Sequence, residues 1–472
     1  MNFHLYDIHW RLSRPRSSAN GTENRLKPSL PDIFRLKEAL TVALFITLVL
    51  LAAAIRWWAA PISAGPDIAQ FWAFARVFQL HGLNFYQYAD ASGNIFPFKY
   101  WAYVYPSPWL LILRICLFAV PGAQATNTMV DAAWRLAVKV PIILADMAIG
   151  CLLFWTVPGS KTRKLLFASL WLFHPTVWYN SAVFGQFDAL AAVFVFASII
   201  ALVKQKYGNW LAFLLAGLAV TIKQHTLIII AGMMAGSLYN SSFRSFLKNG
   251  IMLALPFVAF SIPFVLDGNL IPYARAVFLP AQAAAYQYPL DFAFSGTGSL
   301  LTHLHNVYGW NTENLLRYTA PVTALVLVAV LICCYWRKAS PVQAALASFL
   351  VFVALFYRIN YQYLVIYIPV ALLAAAMTRY KGERIMTLVL ALFPAVWLWL
   401  YDVTFWFTYL SPASPWIVPY FDKLGLAHRS EPYVYVIFAV TLMCLSLAYI
   451  ILVLTRWNQA RSGKEWERGQ VG

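Results

Sequence analysis

Residues 161–206 read KTRKLLFASLWLFHPTVWYNSAVFGQFDALAAVFVFASIIALVKQK. Two apolar runs, 165–180 and 188–203, lie between basic ends. Lys161, Arg163 and Lys164 precede the first, and Lys204 and Lys206 follow the second. The turn between them is polar and carries its first charge at Asp188. Two apolar helices that start and finish in short basic segments satisfy the positive-inside rule as a membrane hairpin, with the Asn180–Asp188 turn on the opposite face.

The same reading extends outward along the chain. Apolar runs near 39–56, 134–156, 209–222, 225–240, 249–266, 317–336, 341–357, 361–378, 385–402 and 433–455 join these two to make about twelve expected spans. Basic residues at 204–206, 244–248, 337–338 and 379–384 then fall on the same side as 161–164. Residues 105–120 break the alternation. If that run crossed, every later basic connection would change sides, and it carries Arg114. It is therefore expected to lie at the outer interface. The organisation that follows is a basic cytoplasmic tail over 1–38, one membrane domain over 39–455 and a second basic cytoplasmic tail over 456–472. Outer loops would cover about 57–133, 267–316 and 403–432. No apolar core precedes residue 39, so the first span is expected to be an uncleaved anchor. The expected fold class is an all-α polytopic membrane protein of the cytoplasmic (inner) membrane, with its large loops and its chemistry facing outward.

Composition agrees. Of 472 residues, 61% are hydrophobic and only 11% charged, a balance that no soluble domain of this length could bury. The net charge of +17 is accounted for by the cytoplasmic connections and tails, so nucleic acid is not an expected partner, whereas membrane lipids are. The five cysteines show no metal-ligand spacing and no disulfide is expected. No phosphate cradle of the glycine-rich kind and no Gly-x-Ser-x-Gly nucleophile turn is present, and His303-Leu304-His305 is a weak metal signal.

Four clusters place polar residues where a bilayer makes them costly. Asp67 follows Gly65-Pro66 just beyond the first span, as a helix N-cap or as an acid presented at the outer interface. Gln186 and Asp188 sit in the outer turn of the quoted hairpin, where Asp188 can cap the next helix, line a site, or both. Lys223-Gln224-His225 separates two short runs. Its lysine is either a snorkelling side chain or a cation for a phosphate. Arg358-Ile359-Asn360-Tyr361-Gln362-Tyr363 is either an interfacial belt with an anchoring arginine or a phosphate-binding group, since a guanidinium fork matches phosphate oxygens.

In this order and placement the clusters resemble the GT-C superfamily of integral-membrane glycosyltransferases. The similarity is to enzymes that use polyprenyl-phosphate sugars, including the mannosyltransferases of glycosylphosphatidylinositol assembly and their bacterial relatives. The resemblance runs over about 39–380. It rests on Asp67 in the first outer loop, on Tyr105-Pro106-Ser107-Pro108-Trp109 opening an interfacial helix, and on His174-Pro175 with Gly185-Gln186-Phe187-Asp188. It rests also on Lys223 after a small-residue span and on Tyr361-Gln362-Tyr363 before a span containing Pro369. It implies an inverting transfer of a sugar, a hexose such as mannose, from a polyprenyl-monophosphate donor to a glycan or glycolipid acceptor. Asp67 would be the catalytic base. Arg358 and Lys223 would face the phosphate, and Asp188, Gln186, Tyr363, Gln362 and Tyr105 would bind substrate. Some relatives carry a paired Asp-x-Asp where this chain reads Asp67-Ile68-Ala69, so the part of a divalent metal stays open and no metal ligand is assigned. The rival readings are a lipid-linked oligosaccharide ligase or polymerase, and a lipid or sugar transporter.

The topology is directly testable. Single cysteines at positions 162 and 205 should be labelled only from the cytoplasmic side by an impermeant maleimide. Labelling of either from outside would overturn the twelve-span reading.

Overall fold

The computed structural model describes residues 30–89, 103–125, 129–204, 209–238, 242–278, 296–357, 359–396 and 432–455. Among these residues the chain is helical, with no strand and a single bridge between Ala125 and Val130. Helix α1 covers Leu30–Ala59, α2 Pro66–His81, α3 Phe85–Tyr88, α4 Ser107–Ala119, α5 Ala132–Thr156 and α6 Lys161–Leu172. Then come α7 (Pro175–Trp178), α8 (Asp188–Lys204), α9 (Asn209–Ile222), α10 (Thr226–Leu238), α11 (Phe243–Leu266) and α12 (Leu270–Phe278). The last six are α13 (Gly296–Tyr308), α14 (Glu313–Trp336), α15 (Pro341–Leu355), α16 (Tyr361–Met377), α17 (Lys381–Leu392) and α18 (Pro432–Thr455).

Five stretches, Glu38–Ile62, Ala132–Thr156, Phe243–Leu266, Glu313–Trp336 and Val436–Thr455, are long and apolar enough to cross a membrane. Such a chain is a membrane protein. The apolar helices α4, α9, α10, α15 and α16 have 13 to 17 residues. At 1.5 Å per residue these reach about 20–26 Å, short of a hydrocarbon layer of roughly 30 Å. Helices α15 and α16 are almost wholly buried and form the centre of the bundle. Helices α1, α11 and α14 leave rows of leucine, isoleucine and valine exposed, as lipid-facing helices do. Close approach along the bundle depends on small residues. A Cβ at Gly217 of α9 would meet the Leu253 carbonyl of α11 at 2.3 Å, and one at Gly232 of α10 would meet the Ala344 carbonyl of α15 at 2.2 Å.

The run expected as one span over 165–180 is broken. Helix α6 stops at Leu172, because Pro175 cannot continue it and forces the preceding His174 into an extended conformation. One turn of α7 follows, then a wide turn over Tyr179–Phe184 with π-type bonding, ended by Gly185 at φ +81°. The break frees buried carbonyls, and four donors take them. Arg56 donates to Leu172 O at 2.8 Å, and Ser63 Oγ shares its one proton between Ala59 O at 2.7 Å and Ala182 O at 3.2 Å. Lys139 Nζ donates to Val183 O at 3.0 Å and the Gly65 N–H to Phe184 O at 3.1 Å. Arg56 also donates from Nε to Asp146 Oδ2 at 2.9 Å, and that carboxylate accepts from Ser181 Oγ at 2.5 Å. The ion pair thus joins α1, α5 and the wide turn.

Removing one member of a buried pair leaves the other unpaired, a loss of about 3–5 kcal/mol. Arg56→Met should therefore sharply lower the unfolding midpoint of the detergent-solubilised protein, and Arg56→Met with Asp146→Leu should regain part of the loss. A midpoint unchanged in the single variant would show that the pair does not hold the junction.

Candidate functional site

The wide turn and the start of α2 meet directly. The Gly65 N–H bonds to Phe184 O, and a Cβ on Gly65 would lie 2.6 Å from that oxygen, so only glycine permits the contact. Gly65, not Asp67, is the N-cap residue of α2, and no side chain caps the helix. The Asp67 carboxylate instead accepts a hydrogen bond from Gln186 Nε2. Two residues on, Asp188 opens α8, and its Oδ2 accepts from Lys223 Nζ at 2.6 Å, both side chains being fully buried. Lys223 lies in the turn between α9 and α10, and its ammonium stands over the rings of Phe187 at 4.4 Å, Tyr105 at 5.6 Å and Tyr363 at 5.7 Å. Phe187 stacks on Trp109 of α4 with centroids 4.2 Å apart and meets Tyr105 edge-on.

Next to this cluster, His225 lies against Tyr363 with centroids 4.4 Å apart, and its Nε2 is 3.9 Å from Asp188 Oδ1, too far for a hydrogen bond. Gln186 Oε1, Asp188 Oδ1 and His225 Nε2 are buried without partners. Asp67, Tyr105, Gln224, His225 and Tyr363 are only partly buried, so the cluster opens to the surface along that side. Gln224 fixes the rim by donating to Val104 O at 2.5 Å and Val277 O at 3.1 Å.

Asp67 lies on α2, outside the five long helices. Burial raises its pKa to about 6 from an ordinary 3.8. Lys223 opposes the shift and Asp188 adds to it. A carboxylate tuned to this range exchanges its proton near neutrality, which is what a general base needs. The unpartnered oxygens beside it are acceptors, and the surrounding walls are aromatic. That combination suits a ligand with hydroxyl donors on one edge and C–H groups on its face.

The structure brings Asp67, Gln186, Asp188, Lys223, Tyr105 and Tyr363 together from five separate segments. Gln362 is buried at the start of α16, and none of the described hydrogen bonds joins it to the acidic cluster. Arg358 lies outside the described residues, as do Asp90 and Asp291, acids that with Asp188 are the alternatives to Asp67 as base. Lys223, read from the sequence as either a snorkelling side chain or a cation for a phosphate, is paired with Asp188. His225, Phe187 and Trp109 were not singled out for roles in the sequence. For His225 a signal existed in its place beside Lys223, whereas the two rings are lost among many apolar neighbours. His303 and His305 have no third ligand, since no group of three or more His, Cys, Asp or Glu among the described residues could hold a metal. Comparison with models of known protein families finds no match, and comparison with curated proteins finds none.

Raised toward 6, Asp67 is protonated below that pH and ionised above it. A carboxylic-acid infrared band present in the native protein and missing in Asp67→Asn should titrate near pH 6. Titration at the ordinary carboxylate value would place Asp67 in bulk water.

Proposed function

We propose that this chain is an inverting glycosyltransferase of the GT-C kind, embedded in the cytoplasmic membrane by twelve spans with both termini inside and the site on the outer face. It would move a sugar from a polyprenyl-monophosphate donor to a lipid-linked or envelope-glycan acceptor. One observation carries the reading: the Asp67 carboxylate, partly buried and held by Gln186, stands beside an acceptor-rich cluster walled by aromatic rings, where burial raises its pKa. Asp67 takes the proton of the acceptor hydroxyl as its oxygen attacks the anomeric carbon. The bond from that carbon to the phosphate oxygen breaks, and polyprenyl phosphate leaves as a dianion. Gln186 holds the base in place. Asp188 and His225 offer acceptor and donor positions to sugar hydroxyls, and Tyr105, Phe187 and Tyr363 face the ring. With Lys223 neutralised by Asp188, the charge for the leaving group falls to Arg358.

Helix lengths add support. Helices α9 and α10, with 14 and 13 residues, are about 20 Å long, so in the proposed topology the turn carrying Lys223 would lie below the level of the outer headgroups. A donor anchored by its lipid reaches such depth without leaving the bilayer. The same short helices favour a transporter as the second reading, because broken helices meeting at a midplane charge are common there. A poised carboxylate would equally serve a proton-coupled transporter, and the transfer assay separates the two readings.

The test is release of polyprenyl phosphate by purified protein from a panel of polyprenyl-phosphate sugars. Transfer should fall away below pH about 6 as Asp67 gains its proton. Asp67→Asn should lose about 10²–10⁴-fold in kcat with normal membrane insertion. Arg358→Lys should be impaired and Arg358→Gln reduced by about 10–100-fold, the worth of a charge-assisted contact of roughly 1.5–3 kcal/mol. Full transfer by Asp67→Asn would refute the mechanism, and substrate translocation without transfer would establish the transporter.

A further inference from the structure

Lys139 stands two turns into α5, fully buried, and no carboxylate among the described residues pairs with it. Its ammonium donates to three backbone carbonyls, Ser63 O at 2.6 Å, Ala60 O at 3.0 Å and Val183 O at 3.0 Å, and approaches Ser63 Oγ at 3.1 Å. Three protons and four acceptors leave no donor free. A lysine that served only to cap the broken helix would need Val183 alone. This one reaches two segments at once, and each leads into the site. Ser63 is four residues before Asp67, and Val183 is three before Gln186. The stem passes beneath Gly185, where a Cβ would lie 3.0 Å from Lys139 Cε and 2.3 Å from Ile68 Cδ1. An ionisable side chain in an apolar helix is costly and needs a use.

We propose that Lys139 is a positioning residue: its ammonium is a built-in cation that fixes residues 60–65 against residues 182–186 and so sets the Asp67 carboxylate against Gln186. The role in turnover rests on the glycosyltransferase reading; the clamp itself does not. Truncation to alanine leaves a socket of three carbonyls and a hydroxyl that a small cation can refill. Lys139→Met keeps the stem, supplies no charge and blocks the socket.

In detergent, Lys139→Ala should unfold at a lower temperature than the native protein. Methylammonium chloride should raise its midpoint, and tetramethylammonium chloride at equal ionic strength, too large and without N–H donors, should not. Its kcat for sugar transfer should fall about 10²-fold, the effect of a misplacement near 1 Å, with KM for the donor little changed. Methylammonium should restore at least part of kcat in Lys139→Ala and none in Lys139→Met. The infrared titration of Asp67 supplies a readout free of turnover. In Lys139→Ala it should move away from about 6 as Asp67 leaves its place beside Gln186, and methylammonium should return it. If the native protein transfers no sugar, the enzymatic reading fails alone and this titration still tests the clamp. An Asp67 titration unaltered in Lys139→Ala, or native turnover in Lys139→Met, would overturn the proposal. Recovery of the midpoint with no effect of the variant on kcat or titration would reduce Lys139 to a tie between helices.

Discussion

A backbone carbonyl buried away from water must find a donor, and this constraint organises the molecule around one broken helix. Pro175 ends α6 early, and the residues after it wind through a wide turn instead of resuming the helix. Four orphaned carbonyls result at 172, 182, 183 and 184, and their donors come from Arg56, Ser63, Lys139 and the Gly65 amide. Two of the four are basic side chains in otherwise apolar helices, which hydropathy alone would count as faults. They are the reason the break can exist in the interior. Because two of the donors, Ser63 and the Gly65 amide, lie on the connection from α1 to α2, satisfying the turn also brings Asp67 to Gln186.

The electrostatics of the site follow from that junction. Two carboxylates and one ammonium converge in a space ringed by Tyr105, Phe187, Trp109 and Tyr363. Lys223 binds the inner carboxylate, so the outer one keeps the burden of desolvation and holds its proton more tightly. The pairing therefore divides the labour between two similar acids. Asp188 is locked as a fixed, oriented dipole with one free oxygen, and Asp67 is left able to exchange a proton. An uncompensated cation at Lys223 would attract anions into the cluster. In the paired state the cluster favours ligands that donate hydrogen bonds.

Much of this organisation was legible in the sequence, and the illegible part has physical causes. Each of the twelve apolar runs is helical in whole or in part among the described residues, since local hydrophobicity and helix formation act over the same few turns. The clustering of Asp67, Gln186, Asp188 and Lys223 followed from their placement at polar interruptions, where a bilayer leaves few alternatives. The interruption of 165–180 was hidden because an apolar window weighs Pro175 by its hydropathy and not by its missing N–H. Arg56, Lys139 and Asp146 stood in plain view inside apolar runs, but their partners are backbone atoms or residues 90 positions away, and no local pattern records them. Lys223 could be recognised as a buried charge. Its partner could not, because a sequence gives the expense of a charge and not the group that offsets it.

The two halves of the cluster differ in how they are attached to the fold. Asp67 and Gln186 descend from main chain welded to main chain at Gly65 and Phe184, with Lys139 behind the weld. Tyr105, His225 and Tyr363 reach the same space from three other segments and meet it through side chains alone. Changes to the second group would alter the shape of the space beside the cluster while leaving the acid and its amide where they are. Side chains at the rim can therefore vary without moving the Asp67 carboxylate from its place against Gln186.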